Sequence, residues 1–281
     1  MVNLNMADFI EASILSIYNQ LTEQFEIVVV DGGSNDGSLE ILQRLEKELD
    51  RIRLIALPRD PDRKLGTDRN ISIENARGEY VMLHLDCDDL YLPYIPDWVE
   101  VFLSIEAAYG PDILVSGEQI NMGRKSFLLS HGPYKNLHFE DRELWTRLAK
   151  IGCLIKLQHA PIRIRMKIPQ PARTIKVFKR TYVRILEDLQ QPQNRFFKYC
   201  WTQISQKNNL GFKLRLFRLG MCWLVLPHYT CAGKTKTDER HDRPQNIEDS
   251  EKKSLRALLC TKGIDEKTVK LSPSGRSIFF D

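Results

Sequence analysis

The chain has 281 residues, 42% hydrophobic and 28% charged, with a net charge of +4. These values fit a soluble globular chain with one large domain, or one domain and an appendage. No uninterrupted run of about 18 apolar residues occurs, which excludes a spanning helix, and residues 1–8 lack the basic-then-apolar order of a signal peptide.

The charge is unevenly placed. Residues 1–141 hold 12 Lys and Arg against 25 Asp and Glu, residues 142–240 hold 21 against 5, and residues 241–281 hold 8 against 7. An acidic front and a basic back predict different partners, with phosphates, an anionic lipid surface or nucleic acid open for the basic part. The six cysteines form no C-x-x-C pair and no zinc spacing. Their expected state is reduced, which fits a cytoplasmic protein.

Residues 9–20 carry Phe9, Ile10, Ile14, Ile17 and Tyr18 at helical spacing. Residues 25–31 (FEIVVVD) read as a buried strand, followed by the loop Asp31-Gly32-Gly33-Ser34-Asn35-Asp36-Gly37-Ser38. Glycines after a buried strand let backbone approach a ligand. Ser38 or Asp36 is the expected cap of a helix over 39–49. A short strand over 53–57, a charged loop over 58–66 with Arg59, Arg63 and Lys64, and a helix over 71–76 closed by Arg77-Gly78 come next. Residues 78–83 are a further strand. It runs into Asp86-Cys87-Asp88-Asp89, three carboxylates in four positions. Such carboxylates repel unless a cation or a row of donors neutralises them. Asp86 and Asp88 share one side of an extended chain, so both can face one divalent ion. An acidic turn with a helix cap before residues 90–93 is the plainer alternative.

Strand, helix, strand, helix, strand is the order of a doubly wound sheet, whose loops gather at the carboxyl edge. Asp31 and Asp86 are then expected at one cleft. Two acidic strand ends, a glycine loop and basic residues suit a nucleoside diphosphate with a metal.

Five stretches together resemble a family 2 glycosyltransferase of the GT-A fold. They are Asn5-Met6-Ala7-Asp8-Phe9-Ile10 through Ser16-Ile17-Tyr18-Asn19-Gln20; Val29-Val30-Asp31-Gly32-Gly33-Ser34-Asn35-Asp36-Gly37; Leu65-Gly66-Thr67-Asp68-Arg69-Asn70 with Ala76-Arg77-Gly78-Glu79-Tyr80; Leu85-Asp86-Cys87-Asp88-Asp89, the D-x-D motif; and Phe139-Glu140-Asp141-Arg142-Glu143-Leu144-Trp145. Any one is weak; five in order across residues 5–150 are specific. The resemblance implies an α/β fold, a GT-A (Rossmann-like) mostly parallel sheet flanked by helices. It implies that Asp31 binds the nucleobase edge with Ser34 in the same loop. Arg69 and Asn70 would lie near the diphosphate and Asp86 near the ribose or sugar. Asp88, with Asp86, would hold Mn2+ or Mg2+. Asp141 would be the general base that takes the acceptor hydroxyl proton. Asp36, Asp89, Glu140 and Lys64 form a second tier. Without the rest of the pattern, Glu140-Asp141 reads as ordinary helix N-terminal acids.

One piece departs from the family. Its opening apolar strand has no counterpart, because residues 1–5 stand where the turn after that strand is expected. The central strand is therefore expected to be missing, leaving unpaired edges, with three readings open: the start is internal to a longer reading frame, another segment fills the gap, or the domain is inactive or unstable as written.

Further on, 111–117 reads as a strand, 118–138 as an irregular loop, 141–152 as a helix and 153–157 as the last strand. His131 and His138 in or beside the loop are read as solvated rather than ligating. Residues 160–240 interleave Arg163, Arg165, Lys167, Arg173, Lys176, Lys179, Arg180 and Arg184 with apolar and aromatic side chains. Basic amphipathic helices with aromatics suit a membrane surface. A helical appendage with solvated charges is the plainer alternative, and no nucleic-acid motif is present. Residues 233–253 read as a polar linker, 254–260 as a short helix, and the apolar end as a tip that docks back on the body.

The expected organisation is a catalytic domain over 1–158, a basic helical region over 159–232, and a linker and tail over 233–281. The expected function is inverting, metal-assisted transfer of a sugar from a nucleotide-diphosphate donor to a hydroxyl of a glycan or lipid-linked acceptor, at the cytoplasmic face of a membrane. A non-catalytic nucleotide-sugar or lipid-surface binder on the same fold, or a nucleotidyltransferase, are the rival readings. The nucleotidyltransferase usually has a glycine- and arginine-rich loop at its first strand, and none is found here.

Overall fold

The structure is a computed structural model, which describes residues 1–117, 120–166, 174–190, 196–205, 212–231 and 252–280. It falls into two compact units. The first comprises Met1–Asn136, Glu140–Ile168 and Gln245–Asp281, and the second Leu137–Phe139 and Pro169–Pro244. The division differs from the expected one, because the C-terminal residues join the first unit.

The buried run Ile27–Asp31 forms β2, every residue of it buried. It pairs in parallel with β1 (Val2–Asn3) on one side and β3 (Ile52–Ala56) on the other. The expected absence of a first strand is thus corrected: Val2 and Asn3 pair with Val30 and Asp31. Val2 also bridges in parallel to Asp86, so this short strand stitches the first sheet to the end of β4 (Tyr80–Leu83). Below the stitch the edges of β2 and β4 stay apart. A cleft of about 890 Å3 lies there, lined by residues such as Ile27, Val28, Val81, Met82 and Met122.

Helix α1 (Ile10–Tyr18) buries Ile10, Ile14 and Ile17, the expected apolar stripe. Helix α2 (Ser38–Glu48) buries Leu42 and Leu45. Helix α3 spans Leu65–Asn75 and starts a turn and a half before its expected start. Gly66 explains the position: a Cβ there would lie 2.2 Å from the Lys135 carbonyl and 3.1 Å from the Glu140 Cβ. Only glycine lets α3 approach that segment so closely.

Strand β4 belongs to a five-stranded mixed sheet, where β7 (Asn121–Arg124) and β6 (Leu114–Ser116) follow. Next come β8 (Leu154–Gln158) and β10 (Lys253–Ser254), both parallel to their inner neighbour. Residues 118–138 are therefore not the irregular loop expected, since the described part holds β7 and helix α5 (Lys125–Ser130). The acidic turn continues as β5 (Asp89–Tyr91), paired antiparallel with β9 (Arg163–Arg165). Helix α4 (Ile95–Tyr109) had no counterpart in the sequence reading. It has Pro96 in its first turn and buries Trp98, Val101, Phe102 and Ile105 in the main core.

Helix α6 (Glu140–Lys150) presents Leu144 and Leu148 to a second cluster with Ile73, Val81 and Phe127. At the far end of the chain, α10 (Leu255–Thr261) and α11 (Pro273–Phe280) pack on the main core through Leu255, Leu258, Leu259 and Phe279. The apolar tip does dock: the Phe279 ring lies 6.1 Å from Trp98, and the Ser272 N–H donates to Asp97 at 2.6 Å. The polar stretch 233–251 lies outside the described residues.

The second unit holds α7 (Thr174–Gln190), α8 (Phe196–Ser205) and α9 (Phe212–Cys231) around Ile185, Leu189, Tyr199, Cys200, Met221 and Cys222. Among the described residues no helix is long and apolar enough to cross a membrane.

Candidate functional site

The carboxyl ends of β2 and β4 lie side by side because β1 touches both. That edge carries Asp31 and the acidic turn. Asp86, Asp88 and Asp89 each offer a carboxylate oxygen within 4.8 Å of the others. The chain turns between them, at Cys87–Asp88. Cys87 points the other way, its Sγ 3.3 Å from the Val2 carbonyl, and burial pushes its thiol up to about 12. A thiol so poor at ionising leaves an all-oxygen donor set, which suits Mg2+ or Mn2+ and not a thiophilic metal. Asp86 is half-exposed while Asp88 and Asp89 are buried. Burial pushes the Asp89 carboxyl up, against the pull of Arg163 and Arg165.

Two arginines of β9 face this triad. Arg163 pairs with Asp89 and lies 3.2 Å from Asp86. Arg165 lies 3.3 Å from Asp86, 3.5 Å from Asp88 and 3.4 Å from the second oxygen of Asp89. Neither was singled out as a site residue. The signal was the Arg-Ile-Arg alternation, which puts both guanidiniums on one face of a strand.

Arg69 on α3 is buried and binds the site from the other side. Its Nε donates to Glu140 at 3.1 Å, and its Nη2 lies 3.7 Å from Asp86. Burial pushes the Glu140 carboxyl up and Arg69 opposes that push. One guanidinium therefore ties the start of α6 to the acidic turn. Asp141, the next residue of α6, is partly exposed and accepts from the Arg142 N–H at 2.7 Å.

The remaining expected residues mostly organise loops. Asp31 is fully buried and accepts four bonds: the N–H groups of Gly33 and Ser34, the Asn3 amide at 2.7 Å and the Ser34 hydroxyl at 2.6 Å. Ser34 also accepts from the Asn5 N–H. Asp36 accepts from the Ala7 N–H and from Ser38, pinning α1 to α2; these bonds outweigh the upward push of burial and lower its carboxyl. Asn70 clamps the backbone of Tyr134 with both amide atoms at 2.8 Å. Lys64 donates its Nζ to the Pro61 carbonyl. His131 is exposed and stacks on Phe127, and His138 contacts Glu187 in the second unit.

A group the sequence reading missed lies behind the triad. His84 takes a positive φ of 62°, a conformation that only a well-determined surrounding holds in a non-glycine residue. Its ring bonds the Asn121 amide and, at 2.9 Å, the Tyr134 hydroxyl, with Trp145 edge-on at 5.6 Å. Burial, helped by Arg69 and Arg163, holds it well below the ordinary histidine range. This neutral imidazole fixes the turn between β4 and Asp86.

Comparison with solved structures gives the fold class first. A mannosyltransferase from Pyrobaculum calidifontis, solved with GDP-Man and Mn2+, superposes with a TM-score of 0.55 over 98% of this chain and 80% of that one, at 15% identity. Staphylococcus aureus TarS residues 1–349, solved with UDP-GlcNAc, gives 0.50 over 69% and 67%, also at 15% identity. The fold is GT-A. The sequence model described as Glycosyl transferase family 2 matches residues 1–153, more than half of the chain, and the chain belongs to that family. Among curated relatives, the putative teichuronic acid biosynthesis glycosyltransferase TuaG of Bacillus subtilis is 36% identical over 85 residues, 30% of this chain and 32% of that one. An uncharacterized glycosyltransferase of Haemophilus influenzae is 25% identical over 72% of this chain and 70% of its own length. The cholesterol galactosyltransferase of Borreliella burgdorferi is 30% identical over 51% and 38%. The match thus spans about a third of TuaG and of the galactosyltransferase.

Proposed function

We propose that this chain is an inverting glycosyltransferase that takes a sugar from a nucleoside-diphosphate donor with the help of a divalent cation. The observation that carries the reading is the convergence of Asp86, Asp88 and Asp89 at the end of β4, beside the Asp31 loop and bound through Arg69 to the start of α6. Asp88 and Asp86 hold the cation, and a cation there offsets the charge that develops on the leaving diphosphate. Asp89 stays bound to Arg163 and shapes the turn. Asp31 and Ser34 form the loop that receives the base. Asp141 accepts the acceptor hydroxyl proton as the new glycosidic bond forms and the bond to the diphosphate breaks. Its place in the first turn of α6 stabilises it as an anion. Glu140, held by Arg69, fixes that turn.

The test is calorimetry with UDP and GDP, with and without Mn2+, on the wild type and on Asp88→Ala. Metal-dependent binding lost in Asp88→Ala supports the reading and names the base. Binding that ignores both the metal and Asp88 overturns it. A binder without turnover would be indifferent to Asp141→Asn, whereas an enzyme loses transfer and keeps donor binding.

A second part of the reading concerns the acceptor side. Phe197, Trp201, Trp223 and Leu224 of the second unit are each more than half exposed, and Lys179 and Arg180 are exposed with them. Aromatic and basic side chains in one small helical unit suit an anionic lipid surface, and we take a lipid-linked or membrane-presented acceptor at that surface as the substrate class.

A further inference from the structure

We infer that Arg165 has two alternating partners: it is the resident counter-ion of the acidic turn in the free protein, and it turns to the donor diphosphate when a cation takes its place. The inference rests on the metal-assisted reading above.

The two arginines of β9 are unequal. Arg163 has a side chain 13% exposed and is held by Asp89, which is wholly buried. It cannot leave without stranding a buried carboxylate. Arg165 is 48% exposed and lies 3.3–3.5 Å from a carboxylate of each of the three aspartates, with no bond to any of them that is short. Asp89 Oδ1 makes no hydrogen bond at all. Contacts of this length and exposure are weak and exchangeable.

Arg163 and Arg165 face the triad, and Arg69 reaches Asp86 while pairing with Glu140, so four carboxylates against three guanidiniums leave the cluster one charge short of balance. A divalent cation arriving at Asp86 and Asp88 removes the need for Arg165 there and repels it. The side chain is long, its head is at the surface, and its strand keeps it beside the cation. A diphosphate bound to that cation then offers the fork of oxygens that a guanidinium matches best. Arg165 would thus oppose cation binding alone and favour cation with diphosphate together. The site would load both or neither.

The experiment measures Mn2+ binding without nucleotide, by the spin-resonance signal of the free ion, in wild type, Arg165→Gln and Asp88→Ala. It then measures UDP and GDP binding at saturating Mn2+. Arg165→Gln is expected to bind Mn2+ about fivefold more tightly, the worth of a half-exposed ion pair. It is expected to bind the favoured nucleotide about tenfold more weakly, the worth of a charge-assisted bond to phosphate. Arg165→Lys, which keeps the charge but not the fork, should restore the wild-type Mn2+ affinity and only part of the nucleotide affinity. If Mn2+ binding needs Asp88 but is unchanged or weaker in Arg165→Gln, the inference falls and the metal site stands. If Mn2+ binds no variant, binds Asp88→Ala equally well, or brings no nucleotide with it, the metal-assisted reading falls and the inference with it.

Discussion

Arg69 and Glu140, 71 residues apart in the chain, form a buried ion pair 3.1 Å long. It fastens α6 to α3. Replacing Arg69 with methionine leaves Glu140 buried without a partner. The expected loss is about 3–5 kcal/mol of stability, and Arg69→Met with Glu140→Met recovers much of it. Urea denaturation of the two variants checks this.

Asp141→Asn keeps the shape of the first turn of α6 and removes the proton acceptor. Transfer is expected to fall by about a hundredfold or more, as for loss of a general base. Nucleotide affinity stays within about twofold, because the residue faces the acceptor in this reading. Single-turnover rates and calorimetry on one preparation separate the two.

His84 gives a pH dependence of stability. Burial lowers its folded-state pKa well below the ordinary value, with Arg69 and Arg163 adding to the effect. The unfolded chain therefore binds a proton that the folded chain refuses. The stability His84 contributes is complete above about pH 6.5 and is lost as the pH falls below it, by at most about 1.4 kcal/mol per pH unit. His84→Gln should flatten that slope between pH 7 and 5 in denaturant titrations.

Phe279 on α11 is 2% exposed and packs against Trp98 and His159. Phe279→Ala should cost about 3–5 kcal/mol by opening a cavity in the main core. A melting curve checks it. A tail that merely rested on the surface would show almost no change.

Phe197→Ser with Trp201→Ser removes two exposed aromatics of α8 without touching its buried Cys200. Retention on vesicles with anionic headgroups should drop several-fold while the melting temperature holds, as expected for side chains that anchor at a lipid surface. Co-sedimentation reads the first and a thermal scan the second.

Local patterns carried much of this fold. The IVVVD run could only be a buried strand, and Asp31 at its end could be named from order alone. The clustering of Asp86, Asp88 and Asp89 was legible from three carboxylates in four positions, although a turn and not the two-residue period of a strand brings them together. Other features were not, because their meaning is tertiary. Arg163 and Arg165 looked like two more charges in a basic stretch until β9 paired with β5. Asp31 and Asn70 stood out by type and order, whereas the loop bonds that their polar atoms make emerge only in the fold. Helix α4 was readable in principle, since Trp98, Val101, Phe102 and Ile105 follow helical spacing, and Pro96 marks its start. His84 could not be read at all, as nothing local reveals that a lone histidine takes a positive φ among Asn121, Tyr134 and Trp145.

Strand β10 pairs with β8 about a hundred residues earlier, Lys253 beside Leu157 and Ser254 beside Gln158. Everything between the two is made first. During synthesis β8 therefore waits as an open edge while the helices α7, α8 and α9 emerge, and Trp98 waits for Phe279. The first unit becomes complete only when residues 253–280 have left the ribosome, so a chain stalled or clipped before them displays a bare strand and an uncovered aromatic core. Such chains are expected to aggregate or be degraded, so survival of the first unit depends on α10 and α11 having been made.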